Sequence, residues 1–215
     1  MTVLAIETSS MVASVAVGDV VVERPLGGHH DDVVALIDQA LAQAGVALAD
    51  LEAIAVGAGP GSFTGLRIGM ATAKGIAFAA GKPLWTASSL AALALDAAAG
   101  AAAGVLLVPI VDARRGEVFA GFYRASGDLV IAAAAERVVP RADLERVAAE
   151  IAAGAQVLLG DGAATPSARS VARLALAGDR TDELRAGTPV YMRSAEAEVK
   201  FPAGNPGGPF GEKKQ

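Results

Sequence analysis

Apolar positions follow two periods that alternate along the chain. Val3–Glu7 is a continuous apolar run closing on an acid, as expected of a strand buried on both faces. Ala13–Gly18 and Val20–Glu23 follow as strands, with Gly18-Asp19 as the tight turn between them. Asp31–Ala44 changes to a helical period, placing Val33, Val34, Ile37 and Leu41 on one face and stopping at Gly45. Leu51–Val56 returns to strand character, Gly57–Ser62 turns the chain, and a helix is predicted from Phe63 to Ala80, ended by Gly81. Leu84–Ala87 is a short strand, and Ser88 is placed to cap the alanine-rich helix after it.

The cycle then repeats. Val105–Val111 reads as a buried strand, and Glu117–Arg124 and Leu129–Ala134 pair around Ser126-Gly127-Asp128. Pro140–Ala153 is predicted as a helix with Pro in its first turn and Gly154 behind it. Gln156–Leu159 is a strand, Gly160-Asp161-Gly162 a turn, and Pro166–Ala177 a helix. Each half is a βββ–α–β–α unit whose first strand closes on an acid, Glu7 or Asp112. The expectation is a duplicated α/β chain of two lobes, 1–103 and 104–195, with a flexible Pro/Gly-rich tail over 196–215.

Composition narrows the chemistry. The 215 residues are 53% hydrophobic, yet include only 6 Phe, 2 Tyr and 1 Trp, so alanine dominates and the core is expected to be tight. A net charge of −5 lacks the positive field of a dedicated nucleic-acid binder. With 0 cysteines there are no disulfides, thiolate nucleophiles, zinc ribbons or iron–sulfur ligands. The N-terminus does not read as a signal peptide, and the alanine-rich stretch Leu84–Val111 is broken by Asp96 and Pro109, which points to a soluble, cytoplasmic protein without a membrane span.

Two segments are candidates for a site. Gly57–Gly69 leaves a strand and enters a helix, where free N–H groups favour an anion, but it lacks the spacing of a Walker loop. The competing reading is packing: Gly61, Gly65, Gly69, Ala73 and Ala77 recur every fourth residue and make one helix face smooth, for close approach within or between chains. Glu7-Thr8-Ser9, matched by Asp112 in the other half, is suited either to a cation–phosphate pair or to capping its own turn. Gly160-Asp161-Gly162 is a turn that can also meet a ribose or base. His29 and His30 are adjacent and diverge, Asp31 and Asp32 suit a helix start, and no Ser–His–Asp set or metal site emerges.

Leu4–Ser9, Ser14–Val17, the run Gly59-Pro60-Gly61-Ser62-Phe63-Thr64-Gly65-Leu66-Arg67-Ile68-Gly69, Lys74–Ala77 and Pro189-Val190-Tyr191-Met192-Arg193 together resemble the TsaB (YeaZ) family. The resemblance implies a duplicated actin/Hsp70/sugar-kinase-like (ASKHA, ribonuclease H-like) fold. It also implies a part in making N6-threonylcarbamoyladenosine on tRNA, as the non-catalytic partner of TsaD, which binds the metal and transfers the threonylcarbamoyl group. TsaE, an ATPase, completes that assembly, and tRNA is met indirectly, through the complex. First-lobe helices mediate docking or a homodimer in this family, which carries the interface to Asp31, Val34, Gly61, Thr64, Gly65, Ile68, Gly69 and Ala73. The family's His-Ser-Glu run is here His29-His30-Asp31. ATP or ADP at the lobe cleft or complex interface would fall to Glu7, Thr8, Ser9, Asp112, Gly160, Asp161 and Gly162. The alternative is an ATPase or phosphotransferase of the same fold acting between the lobes.

Overall fold

The structure is a computed structural model that describes residues 1–26 and 32–192. His29, His30, Asp31, Arg193 and the 196–215 tail therefore lie outside the described residues.

The first sheet is built from β1 (Val3–Glu7), β2 (Val12–Val17), β3 (Val20–Pro25), β4 (Ala53–Gly57) and β5 (Leu84–Ala87), in the order β3-β2-β1-β4-β5. β1 pairs antiparallel with β2 and parallel with β4, so it lies at the centre, and all five of its residues are buried. Its period of two sorts the core by size. Leu4 and Ile6, with Val15, Ile54 and Val56, pack under α1 (Asp32–Ala44) and α2 (Phe63–Ala80). Ala5, with Ala16, Ala53 and Ala55, faces the other way, toward Ala168, Val171 and Ala175 of α5 (Ala168–Ala177). Much of the alanine content is thus spent letting a late helix lie close on an early sheet.

The second sheet contains β6 (Leu106–Val108), β7 (Ile110–Arg114), β8 (Glu117–Ser126), β9 (Leu129–Pro140) and β10 (Val157–Leu159), with order β10-β6-β8-β7 and β9 also on β8. The path β9-β8-β6-β10 repeats β3-β2-β1-β4 with the same antiparallel and parallel senses, as the duplicated reading expects. Two of the boundaries that differ from the sequence reading have a cause in proline chemistry. Val105–Val111 is two strands, because Pro109 has no N–H to give a ladder and β8 pairs with β6 and β7 on either side of it. Pro140 ends β9 opposite Glu117 rather than opening a helix, and α4 begins only at Leu144 (Leu144–Ala152) after a short 3-10 turn.

α3 (Ser89–Ala97) is wedged between the sheets: Ala92 meets the first-sheet alanines, while Leu90, Leu93 and Ala94 meet Leu107 and Tyr123 of the second. Ser88 caps it as expected, accepting the N–H groups of Leu90 and Ala91. Among the described residues no helix is long and apolar enough to cross a membrane.

Candidate functional site

The chain leaves β1 through Glu7-Thr8-Ser9, and α2 is laid directly over that turn. Glu7 is fully buried; its carboxylate accepts the Ser9 N–H at 2.6 Å and the Ser89 hydroxyl at 2.7 Å. Burial pushes this carboxyl above its ordinary range, against the lowering effect of those hydrogen bonds. Thr8 donates its hydroxyl to the Gly65 carbonyl at 2.8 Å, and Ser62 N–H donates to the Ser9 carbonyl at 2.7 Å.

The glycine spacing has a direct steric cause. A Cβ on Gly57 would stand 2.0 Å from a Glu7 oxygen, one on Gly65 2.0 Å from the Thr8 carbonyl oxygen, and one on Gly69 2.2 Å from the Thr8 hydroxyl. On Gly61 it would meet the Ser9 carbonyl oxygen at 2.3 Å. Of the open readings of the Gly57–Gly69 segment, close packing within the chain is the one realised. Gly65, Gly69 and Ala73 are buried and covered by this chain's own residues, and Ile68 packs partly into the core. The smooth face is therefore not a surface open to a partner, which corrects the reading of it as a docking face.

The outward faces carry different residues. Thr64, Arg67, Ala71 and Gly75 of α2 are exposed, and Phe78 is 78% exposed. On α1, Val33 and Ile37 are buried as expected, but Val34 turns outward at 52% exposure and Leu36 takes the core position instead. At the start of α2 the Arg67 guanidinium stands 3.9 Å over the Phe63 ring and donates from Nε to the Tyr191 hydroxyl at 3.1 Å. Val190 N–H donates to the Ala58 carbonyl at 2.7 Å, so the Pro189–Met192 segment is tied across the strand-to-helix turn.

That segment forms one wall of a cleft of about 760 Å³, with Ser9 to Met11, Pro60 to Phe63, Val111 to Arg114 and Gly162 to Pro166 around it. Ser9, Asp112 and Gly162 are thus brought together. Glu7 and Thr8 lie beneath, their polar atoms already bonded within the protein. Gly160 and Asp161 line, with Gly162, a separate apolar groove of about 290 Å³. The two strand-end acids are not equivalent. Asp112 is exposed and accepts the Arg114 N–H at 2.8 Å, a turn-capping role. Asp161 likewise accepts the Ala163 N–H at 2.8 Å. Among the described residues no group of His, Asp and Glu is clustered to hold a metal ion.

A family model described as "TsaD: tRNA N6-adenosine threonylcarbamoyltransferase" matches residues 3–196. The chain is 36% identical over 146 residues to the Bacillus subtilis "tRNA threonylcarbamoyladenosine biosynthesis protein TsaB", covering 65% of this chain and 60% of that one. An uncharacterized protein of Mycobacterium tuberculosis is 38% identical over 166 residues, covering 74% of this chain and 72% of its own. The solved structure "YeaZ from Pseudomonas aeruginosa" superposes with a TM-score of 0.74 at 28% identity, over 88% of this chain and 99% of that one. The chain belongs to the TsaB/YeaZ family. The match spans about three-fifths of the length of the Bacillus subtilis relative. A "tRNA N6-adenosine threonylcarbamoyltransferase" of Agrobacterium fabrum also matches, at 48% identity, but over 82 residues and 22% of its length.

In this TsaB/YeaZ member two serines at the start of α3 reach acids to which no sequence spacing points. Ser89 donates to Glu7 of the first sheet, while its neighbour Ser88 donates to Glu136 of β9, as does Tyr123. The N-terminus of α3 is therefore tied to one acid from each sheet. A serine after a strand predicts a cap, which Ser88 is, but the distant carboxylates become visible only in three dimensions.

Proposed function

We propose that the chain acts in N6-threonylcarbamoyladenosine formation on tRNA as a non-catalytic subunit, docking a TsaD-type transferase through the outward faces of α1 and α2. The observation that carries this reading is the exposure of large apolar side chains on both helices, Phe78 at 78% and Phe63 on α2 and Val34 at 52% on α1. Large apolar side chains left exposed on the surface suit a protein partner. Thr64 and Ile68 stay in the proposed interface, with Ala71 beside them. Gly61, Gly65, Gly69 and Ala73 contribute by letting α2 sit low on β1, and Asp31 is an interface residue on sequence grounds alone. In isolation the same face would serve a homodimer. A TsaE-type ATPase would join the complex, tRNA would be met through it, and the setting would be the cytoplasm, with lobes 1–103 and 104–195 flanking the cleft.

The test is co-elution with a TsaD-type transferase, followed by tRNA modification with and without this chain. Phe78→Asp should weaken co-elution at least about tenfold while leaving the fold intact. Unchanged co-elution would refute the assigned surface, and full modification without this chain would refute the subunit role.

The cleft favours a second reading, an ATPase or phosphotransferase using Ser9, Asp112 and Gly162, with ATP or ADP between the lobes. It requires magnesium-dependent ATP turnover by the isolated chain that falls on Asp112→Asn. The internal bonding of Glu7 and Thr8 weighs against it, because a phosphate site would need those atoms free.

A further inference from the structure

The outward side of α2 is a stripe of mixed character. Phe63, Arg67, Ala71, Lys74 and Phe78 recur at steps of three or four residues, so they fall on one side of the helix. Phe63 is 39% and Phe78 78% exposed, with Arg67 and Ala71 exposed between them. The charges on this stripe have one sign. Phe63–Ala80 carries Arg67 and Lys74 but no acid, and residues 53–95 contain neither Asp nor Glu in a chain whose net charge is −5.

Arg67 is the cation that the fold holds in place. Its guanidinium lies 3.9 Å over the Phe63 ring and 6.0 Å from the Tyr191 ring centroid, and Nε donates to the Tyr191 hydroxyl at 3.1 Å. An arginine ordinarily loses rotamer freedom when it grips a partner, and here those contacts have already removed much of it. Neither contact uses the Nη1–Nη2 edge, whose parallel N–H groups match the two oxygens of a carboxylate. Apolar side chains on the same stripe would exclude water from such a pair once a partner covered them, and a fork shielded in that way binds more strongly than an ion pair left in solvent.

We infer that Arg67 anchors the docking face, and that the partner presents to it an Asp or Glu carboxylate set among apolar side chains. The inference rests on the docking reading above and supplies the partner's chemistry. The occupant is the TsaD-type transferase in preference to a second copy of this chain, because α2 laid against α2 of an identical chain would bring Arg67 and Lys74 onto cations of the same kind.

The test is the affinity of the full chain for the transferase, measured by titration calorimetry. Arg67→Glu should weaken it at least about thirtyfold. Arg67→Lys keeps the charge but loses the fork, and should weaken it about fivefold. Phe63→Leu keeps an apolar side chain but removes the ring under the guanidinium, and should cost about threefold. Raising the salt from about 0.05 to about 0.3 M should weaken the wild-type complex more steeply than that of Arg67→Ala. Arg146→Glu on α4, where Arg146 sits between Asp143 and Glu150, is the control and should bind as the wild type does. These side chains are exposed, so thermal melts of the variants should stay with the wild type's. Wild-type affinity in both Arg67→Glu and Arg67→Lys, with Phe78→Asp still impaired, would overturn this inference and leave the docking reading standing. Failure of the wild-type chain to bind the transferase would overturn both. Self-association lost in Arg67→Glu while the transferase complex stays intact would overturn the choice of occupant.

Discussion

In the first repeat the opening strand runs unbroken into a carboxylate sealed inside the protein, whereas in the second Pro109 splits the strand and the corresponding acid stands in solvent. The four strands that the two sheets share run in the same order, so that part of the topology does not explain the difference. The helix that follows does. α2 returns to its own sheet and brings glycines at every fourth position down onto the Glu7–Ser9 turn. α5, its counterpart, crosses to the first sheet and leaves Asp112 facing the open cleft. One repeat has become a packing device and the other a cleft wall, and polar groups that would serve chemistry in a symmetric site are internal bonds in one half and turn caps in the other.

This contrast can be broken most severely at α2. Gly65→Leu should cost about 3 kcal/mol or more, because its first side-chain atom already collides with the Thr8 backbone. Gly162→Ala in the second repeat meets only ordinary contacts, though its φ of +85° makes it strained by about 1 kcal/mol. Urea titrations of the two variants would remove the distinction if they coincided.

The acids come next in size. Glu7→Ala should cost about 3 kcal/mol, as it leaves a cavity and strands the Ser9 N–H and Ser89 hydroxyl. Asp112→Ala should stay within about 0.5 kcal/mol. Equal losses in thermal melts would mean that the two acids are equivalent after all.

A smaller effect distinguishes charge from shape at Glu7. Its folded-state pKa is raised, so between the unfolded and folded values the folded state holds more protons. The stability it contributes is therefore lost as pH rises through that window and stays flat above it. Glu7→Gln should remove that decline, and the gap between its urea midpoint and the wild type's should grow from acid toward neutral pH. A constant gap for Glu7→Gln would show that burial does not penalise the charged form.

A small change is also expected for Tyr191→Phe, which loses one exposed hydrogen bond to Arg67 while keeping the ring against Phe63. A cost of about 0.5–1 kcal/mol is expected. Hydrogen exchange at Val190, bonded to Ala58, should quicken in step if the clamp holds this wall of the cleft.

Local signals explain what was legible in the sequence. β1, α2 and β5 begin and end where the apolar runs and glycine stops put them, and Ser88 caps α3. Pro140 was misplaced because a proline fits both a helix start and a strand end, and the cross-strand partner Glu117 decides between them. Spacing identified the Gly65–Gly69–Ala73 face but could not say what covers it, since Thr8 lies 57 residues away from Gly65. Val34 and Leu36 differ by two positions in a helix apolar on several sides, so periodicity alone could not choose which of them faces the core. The cleft joining Ser9, Asp112 and Gly162 followed from the duplication, whereas the burial of Glu7 depended on Gly57 being too small to exclude it.

The crossing of α5 to the first sheet also orders events during synthesis. Val3, Ala5, Ala16, Ala53 and Ala55 leave the ribosome more than a hundred residues before Ala168, Val171 and Ala175, which make most of their helical cover. Until α5 is made, only α3, through Ala92, lies against that face of the early sheet, and such partly covered surfaces recruit chaperones or neighbouring nascent chains. A product released early, before residue 168, would keep much of that face bare however well its own sheet had formed.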